Sequence, residues 1–367
     1  MVLIKKHYLY FMLLLLVGAS NISCGNKQEL TPDREEPVEQ PEPETKVLKE
    51  KASFNIGAAI KTSLMNENGY TQTVTTHFSQ ITAEWEMKMD AIWTSSSNYQ
   101  WTGADKLVDF ATKNDLDVHG HTLVWYKSFP SWFKNTSYDS TAFENHVKTY
   151  IKTVVDRYKG KVNSWDVANE IFNDNGSLRM TDCPVYATFK DPIAFYGRCF
   201  RYAHEADPNA KLFYNDYSVV IAPGKRNAIK NMVQRFQSEG IPIHGIGDQF
   251  HYRINNDKTT LRNGLNDMAS TGLLVHISEL DIVMNVNKSD NYVYTEAEAE
   301  KQSEMYKHIA ESYSALPAQQ KFAISLWGVT DKHTWLTGSW HPKEYPLLFD
   351  QSYRSKEAYK GFLSGLK

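Results

Sequence analysis

The reading of this chain turns on Ser164-Trp165-Asp166-Val167-Ala168-Asn169-Glu170, SWDVANE. Trp165 and Val167 alternate with Asp166 as in a half-buried strand, and the run then ends in an amide beside a carboxylate, two groups that are costly to bury. Such an ending makes sense where strand ends carry chemistry, and it calls for a partner carboxylate at the end of another strand of the same sheet.

Working outward, short apolar or β-branched runs recur at residues 54–60, 81–88, 116–125, 162–170, 211–217, 245–252, 273–282 and 321–330. Helical patterns lie between most of them. In GADKLVDFATKN, Ala104, Leu107, Val108 and Ala111 share one face, and FENHVKTYIKTVVDRYKG keeps the same spacing until Gly160. IAFYGRCFRYAHEADP, APGKRNAIKNMVQRFQSEG and TEAEAEKQSEMYKHIAESYSAL do likewise. Eight strands alternating with helices over residues 52–367 predict an α/β fold, a single (β/α)8 TIM barrel. An open doubly wound sheet would carry a Gly-rich phosphate turn after its first strand, and none is present.

The 367 residues, 41% hydrophobic and 23% charged, suffice for a large core. A formal net charge of -3 and the lack of interleaved Lys/Arg and aromatic runs argue against nucleic acid as a partner. At the N-terminus Lys5, Lys6 and His7 precede an apolar run from Tyr8 to Val17, and small residues lead to Ser23-Cys24-Gly25. Residues 1–24 therefore read as a secretory signal, too short for a comfortable membrane span, of the lipoprotein type with Cys24 as the lipidated residue. Asn21 stands where that pattern prefers an aliphatic residue, so ordinary cleavage or a free Cys24 is the competing reading. Residues 25–51, rich in Glu and Pro, read as an extended tether. The expected location is outside the cytoplasm, as a bacterial outer-membrane or cell-surface lipoprotein held to the membrane through that lipid, or otherwise secreted or periplasmic. Cys183 and Cys199 are either bridged or two buried free thiols.

At the barrel mouth the strand ends supply Glu84 and Lys88, then His119, His121 and Trp125, then Asn169 and Glu170. Asp216 and Tyr217, Gln249 and His251, Glu279 and Asp281, and Trp327 and Asp331 come from the later strands. Glu279 is the partner carboxylate that SWDVANE calls for. Strands four and seven face each other nearly across the mouth, and two carboxylates across a cleft are what glycoside hydrolysis requires. The field of an ionised partner keeps the other carboxyl protonated, which assigns Glu170 the acid/base role and Glu279 the nucleophile's. Asp281 and His251 are placed to orient Glu279, and Asn169 to hold a sugar hydroxyl. His-Gly-His at 119–121 also opens metal sites in other barrel hydrolases, but only His251 and Asp331 could complete one, so no metal or other cofactor is expected.

The ordered motifs TAEWEMK, HGHTLVW, WDVANE, YNDY, GIGDQFH, ISELD and WGVTDKHTW, from about Phe54 to Phe349, resemble glycoside hydrolase family 10, the retaining endo-β-1,4-xylanases. The resemblance implies xylan or a related β-glycan as the polysaccharide substrate, with Glu170 as acid/base and Glu279 as nucleophile. It also implies Asn169, His121, Trp125, Gln249, His251 and Trp327 around the sugar at the cleavage point. Glu84 and Lys88 would lie on its non-reducing side, Trp335 as a further wall, and Tyr217 on the leaving-group side. The chain departs from the pattern at Trp85, where the family usually has Asn, and at Tyr126-Lys127-Ser128, where it usually has His-x-Gln. A blocked subsite, a stacking platform and a rearranged loop are all open for Trp85. A β-glycanase of altered backbone specificity, or a non-catalytic glycan-binding protein on the same scaffold, are the competing functions.

Overall fold

The computed structural model describes residues 46–367. The signal at 1–24, Cys24 and the tether up to residue 45 lie outside the described residues. The folded body begins at Lys46, earlier than composition suggests. A short helix at Leu48–Lys51 buries Leu48 in the core, and Ser53 donates its N–H to the carbonyl of the C-terminal Lys367 at 3.2 Å.

Eight parallel strands close into a barrel: β1 Asn55–Ile60, β2 Gln80–Ala83, β3 Asp117–Gly120, β4 Ser164–Asn169, β5 Lys211–Asp216, β6 Gly245–Asp248, β7 Leu274–Val283 and β8 Lys321–Leu326. Each pairs with the next, and β8 pairs with β1 to close the ring. One main helix comes after each strand: α1 Asn68–His77, α2 Thr102–Lys113, α3 Ser140–Arg157, α4 Pro192–Ala206, α5 Pro223–Ser238, α6 Lys258–Ala269, α7 Glu296–Ser314 and α8 Glu357–Gly365. The predicted face of α2, Ala104, Leu107, Val108 and Ala111, is the buried one. Side-chain oxygens of Asp139, Asp191, Asp257 and Thr295 accept from backbone N–H groups of the first turns of α3, α4, α6 and α7, which fixes where those helices start.

SWDVANE is buried on both faces, not on one: every residue of β4 is buried, Asp166 included. This is the burial of a barrel strand, with packed helices outside and a filled lumen inside. The lumen is polar. The imidazole of His119 lies 2.7 Å from Ser164 Oγ, that of His276 lies 3.0 Å from Ser325 Oγ, and Gln80 donates to the same serine.

Strand β4 is bulged shortly before Glu170, and β7 is bulged at Glu279 itself. Along β4 and β5, Asp166 pairs with Phe213 but Ala168 with Tyr214, so β4 holds one extra residue. Along β8 and β7, Ile324 pairs with Ile277 but Leu326 with Leu280, so β7 holds one extra residue around Ser278 and Glu279. A bulge breaks the two-residue alternation and re-aims the side chains beyond it. Two short segments complete the rim: Val124–Trp125 pairs with the end of β4, and His251–Arg253 with the end of β7.

Cys183 and Cys199 are buried free thiols. Among the described residues, no helix is long and apolar enough to cross a membrane.

Candidate active site

Glu170 is the first residue past β4 and sits in left-handed backbone, φ 56°. A non-glycine residue there carries strain of order 1–3 kcal/mol, so the surroundings must hold it. They do so bond by bond. Glu170 N–H donates to Asn215 O (2.9 Å), and Arg179 Nε donates to Glu170 O (3.0 Å). The next two N–H groups, of Ile171 and Phe172, donate to the Tyr214 hydroxyl and to Asp216 Oδ2. Asp216 is in turn fixed by the Tyr214 hydroxyl and by Lys225 Nζ at 2.9 Å, both side chains of the ion pair being fully buried. The Glu170 carboxylate accepts from Gln249 Nε2 at 3.1 Å.

Because removing one partner of a buried pair leaves the other uncompensated, Lys225→Met is expected to destabilise the protein by about 3–5 kcal/mol. Midpoints of urea unfolding at neutral pH test this, and an unchanged midpoint would deny the pair its structural role.

Glu279 is held differently. Its Oε1 accepts from Asn215 Nδ2 at 2.9 Å, and its Oε2 lies 3.3 Å from His251 Nε2. His251 Nδ1 makes an ion pair with Asp281 Oδ1 at 3.0 Å, and Trp335 Nε1 donates to Asp281 Oδ2 at 2.7 Å. A histidine facing carboxylates with both nitrogens carries both protons. Burial works against that charge, but the charge and hydrogen bond of Asp281, and then those of Glu279, raise the His251 pKa to about 10. Burial also works against an ionised Glu279. The hydrogen bond from His251 and the charges of His121, His251 and Lys88 outweigh it and hold the carboxyl below its ordinary range. Glu279 is thus kept as an anion.

Asn215 links the two glutamates' surroundings. Its Oδ1 accepts from Ser278 Oγ (2.6 Å), which turns its Nδ2 toward both Glu279 Oε1 and Asn169 Oδ1 (3.0 Å). With its oxygen taken, Asn169 has its amide hydrogens to offer a ligand. Gly247 pairs with Asn215 across β5 and β6, and a Cβ there would come within 2.3 Å of Asn215 Oδ1, so only glycine leaves room for the amide.

The floor is His121, whose Nδ1 lies 2.8 Å from Asp166 Oδ2 and whose ring meets the edge of Trp327 at 5.5 Å. His119 contacts the same Asp166 oxygen at 3.1 Å. Burial alone would raise the Asp166 pKa, but the two histidines hold it well below the ordinary range, so the His-Gly-His pair is engaged by a carboxylate in the lumen. Among the described residues, no group of three or more His, Cys, Asp or Glu side chains is arranged to hold a metal ion.

These groups open on one cleft of about 440 Å³. Glu170, Glu279, Asn169, Gln249, His251, Lys88, His121, Trp125, Tyr217, Trp327 and Trp335 all line it, joined by Tyr126, Lys127 and Ser218. Asp281 stands behind His251. Glu84 lies in the turn after β2, its carboxylate 2.9 Å from Lys61 Nζ, and is not among the lining residues. Asp331 is buried against Lys356 at 2.8 Å. Asn215, Asp166, Arg179 and Lys225 were not singled out from the sequence as site residues. Asn215 lies within the motif YNDY, but its neighbours Asp216 and Tyr217 hold the attention there because they sit at the strand end.

A parallel barrel with an anionic glutamate on one strand, a second glutamate held in strained backbone after another, and aromatic walls in the same cleft defines a barrel glycosidase with a two-carboxylate centre. Comparison with known proteins narrows this. The sequence model of glycosyl hydrolase family 10 matches residues 45–364, and the chain belongs to that family. The endo-beta-1,4-xylanase Xyn10C of Cellvibrio japonicus is 34% identical over 341 residues, which is 86% of this chain and 56% of that protein. A beta-1,4-xylanase of Dictyoglomus thermophilum is 36% identical over 316 residues, 83% of this chain and 86% of that protein. The chain thus spans about half of the Cellvibrio protein and less than a third of two larger relatives. The native structure of the Cellvibrio xylanase superposes with a TM-score of 0.82 at 34% identity, covering 87% of this chain and 73% of that one, and a mutant of it is known in complex with xylopentaose.

Proposed function

We propose that the protein is an endo-1,4-β-xylanase that cleaves internal bonds of xylan by double displacement with net retention. The observation that carries this reading is the pairing of Glu279, kept anionic by His251, with Glu170 in the same cleft. Glu279 attacks the anomeric carbon as Glu170 gives its proton to the leaving oxygen. A covalent glycosyl-enzyme forms, and Glu170 then takes a proton from the water that releases it. Asn169, Gln249, His121, His251, Trp125 and Trp327 hold the sugar at the cleavage point, with Lys88 next to it on the non-reducing side, Trp335 as a further wall and Tyr217 on the leaving-group side. The names of the relatives favour xylan as the backbone.

The same reading places the enzyme outside the cytoplasm, tethered by a lipid on Cys24 through the acidic Pro-rich segment. Metabolic labelling with a palmitate analogue, lost in Cys24→Ala, is the expected result for the anchor. For the chemistry, proton NMR of the first product from xylohexaose is expected to show the β-anomer, with slow mutarotation afterwards. An initial α-anomer would remove Glu279 as nucleophile.

A further inference from the structure

Trp85 is 53% exposed, an unusual state for an indole, and it belongs to no part of the hydrophobic core. The turn that presents it is nonetheless firmly built. Lys88 N–H closes the turn onto Trp85 O at 2.9 Å, and Glu84 N–H ties it to Ile60 O at the end of β1. Glu86 accepts from both the N–H and the hydroxyl of Thr62 at 2.6 Å, and from Trp85 N–H at 3.3 Å. A fixed backbone holding out a bare ring is a preorganised surface.

The ring is linked to the cleft through Lys88, which lines it. Lys88 Nζ stands 5.7 Å from the Trp85 ring centre, 5.0 Å from that of Trp125 and 5.8 Å from that of Trp327, so one ammonium is common to the exposed ring and to two cleft walls. Lys88 lines the same cleft as Glu279 and Glu170, and its ammonium feels the charges of both. The carboxylate of Glu84, the residue before Trp85, is engaged by Lys61 Nζ at 2.9 Å. Beside the Lys88 ammonium, this margin offers a sugar the exposed Trp85 ring, which suits the C–H face of a pyranose.

We propose that Trp85 is a stacking platform for a pyranose unit of the bound glycan at the Lys88 end of the cleft, beyond the sugar at the cleavage point. The proposal rests on the reading of the cleft as a xylan site. Its ring neither lines nor closes the cleft, so the subsite it makes is open and depends on ring contact more than on hydrogen bonds.

The test compares wild type, Trp85→Ala and Trp85→Phe on xylohexaose and on an activated aryl glycoside of a single xylose. Trp85→Ala is expected to lower kcat/KM on xylohexaose about 5- to 10-fold through KM. It should leave the single-sugar substrate unchanged, and Trp85→Phe should restore most of the loss. An alanine variant equal to wild type on xylohexaose, or faster, overturns the platform, the second by showing that the ring obstructs. An equal loss on both substrates overturns it too, by placing the effect at the reacting centre. Lack of turnover of xylohexaose by wild type would instead overturn the xylan reading, and this inference with it.

Discussion

Glu279→Gln is expected to reduce kcat on xylan by about 10⁵-fold, with the protein folded and binding xylohexaose at near wild-type affinity. Glutamine keeps the shape and can still accept from Asn215, but it cannot form the glycosyl ester on which the two-step route depends. Because Glu279 is held below the ordinary glutamate value of 4.5, it stays ionised as pH falls through that value. The acid limb of kcat/KM is therefore expected below 4.5, since attack fails only once the carboxyl gains a proton. The cause can be tested one residue away. Asp281→Asn removes the largest influence that keeps His251 protonated, so His251 loses its charge at lower pH and Glu279 loses part of its support. That variant should show a lower kcat at neutral pH that recovers as the pH falls and His251 regains its proton, while KM changes little. A kcat equal to wild type at neutral pH in Asp281→Asn would mean that His251 does not govern Glu279.

How much of this is legible in the chain alone depends on which physical signals are local. Alternation of apolar runs with amphipathic helices is local, and it is enough to give the barrel. The helices missing from that reading show why. Helix α1, NGYTQTVTTH, buries only Tyr70, Thr73 and Val74, and its threonines favour strands, so the barrel's packing, not its own pattern, makes it helical. Helix α6 carries Gly264, where a Cβ would meet Val220 O at 2.2 Å; a residue that weakens the helix signal is there for close packing. The end of β4 is legible as a carboxylate position because its motif falls at the close of a strand-like run, whereas β7 runs on to Val283, four residues past Glu279, so that glutamate lies within its strand and not at its end.

The aim of those carboxylates is not legible. A two-residue period carried along SWDVANE puts Asp166 and Ala168 on one face, whereas the contacts made inside the barrel come from Asp166 and Asn169, three apart. The bulge accounts for the extra residue, and a bulge leaves no mark in hydrophobicity. Pairings between distant residues are equally hidden. Nothing near Glu84 announces that Lys61 takes its charge, and nothing in YNDY says that Asp216 serves Lys225 and the Glu170 backbone while Asn215 serves Glu279. Strand ends name the candidates; the packed barrel decides which face the cleft and which hold the others in place.

The second large effect separates the two glutamates by chemistry. Glu170→Ala is expected to lower kcat/KM on xylan by about 10²–10⁴-fold, because the departing sugar oxygen then leaves without a proton. On a dinitrophenyl glycoside the leaving group needs no proton, so the first step should run at close to the wild-type rate. Its second step should stall, since water has lost its base. The expected signature is a burst of dinitrophenolate and then a slow steady state with a small KM, as the glycosyl-enzyme accumulates. Azide, which needs no base, should speed that steady state and leave as the β-glycosyl azide: the C–N bond forms as the bond from the anomeric carbon to Glu279 breaks, and the configuration is retained. Glu279→Gln should show neither burst nor this product. If Glu170→Ala instead loses equally on xylan and on the dinitrophenyl substrate, with no burst and no azide effect, the strained turn after β4 holds a structural glutamate and the acid must be sought elsewhere in the cleft.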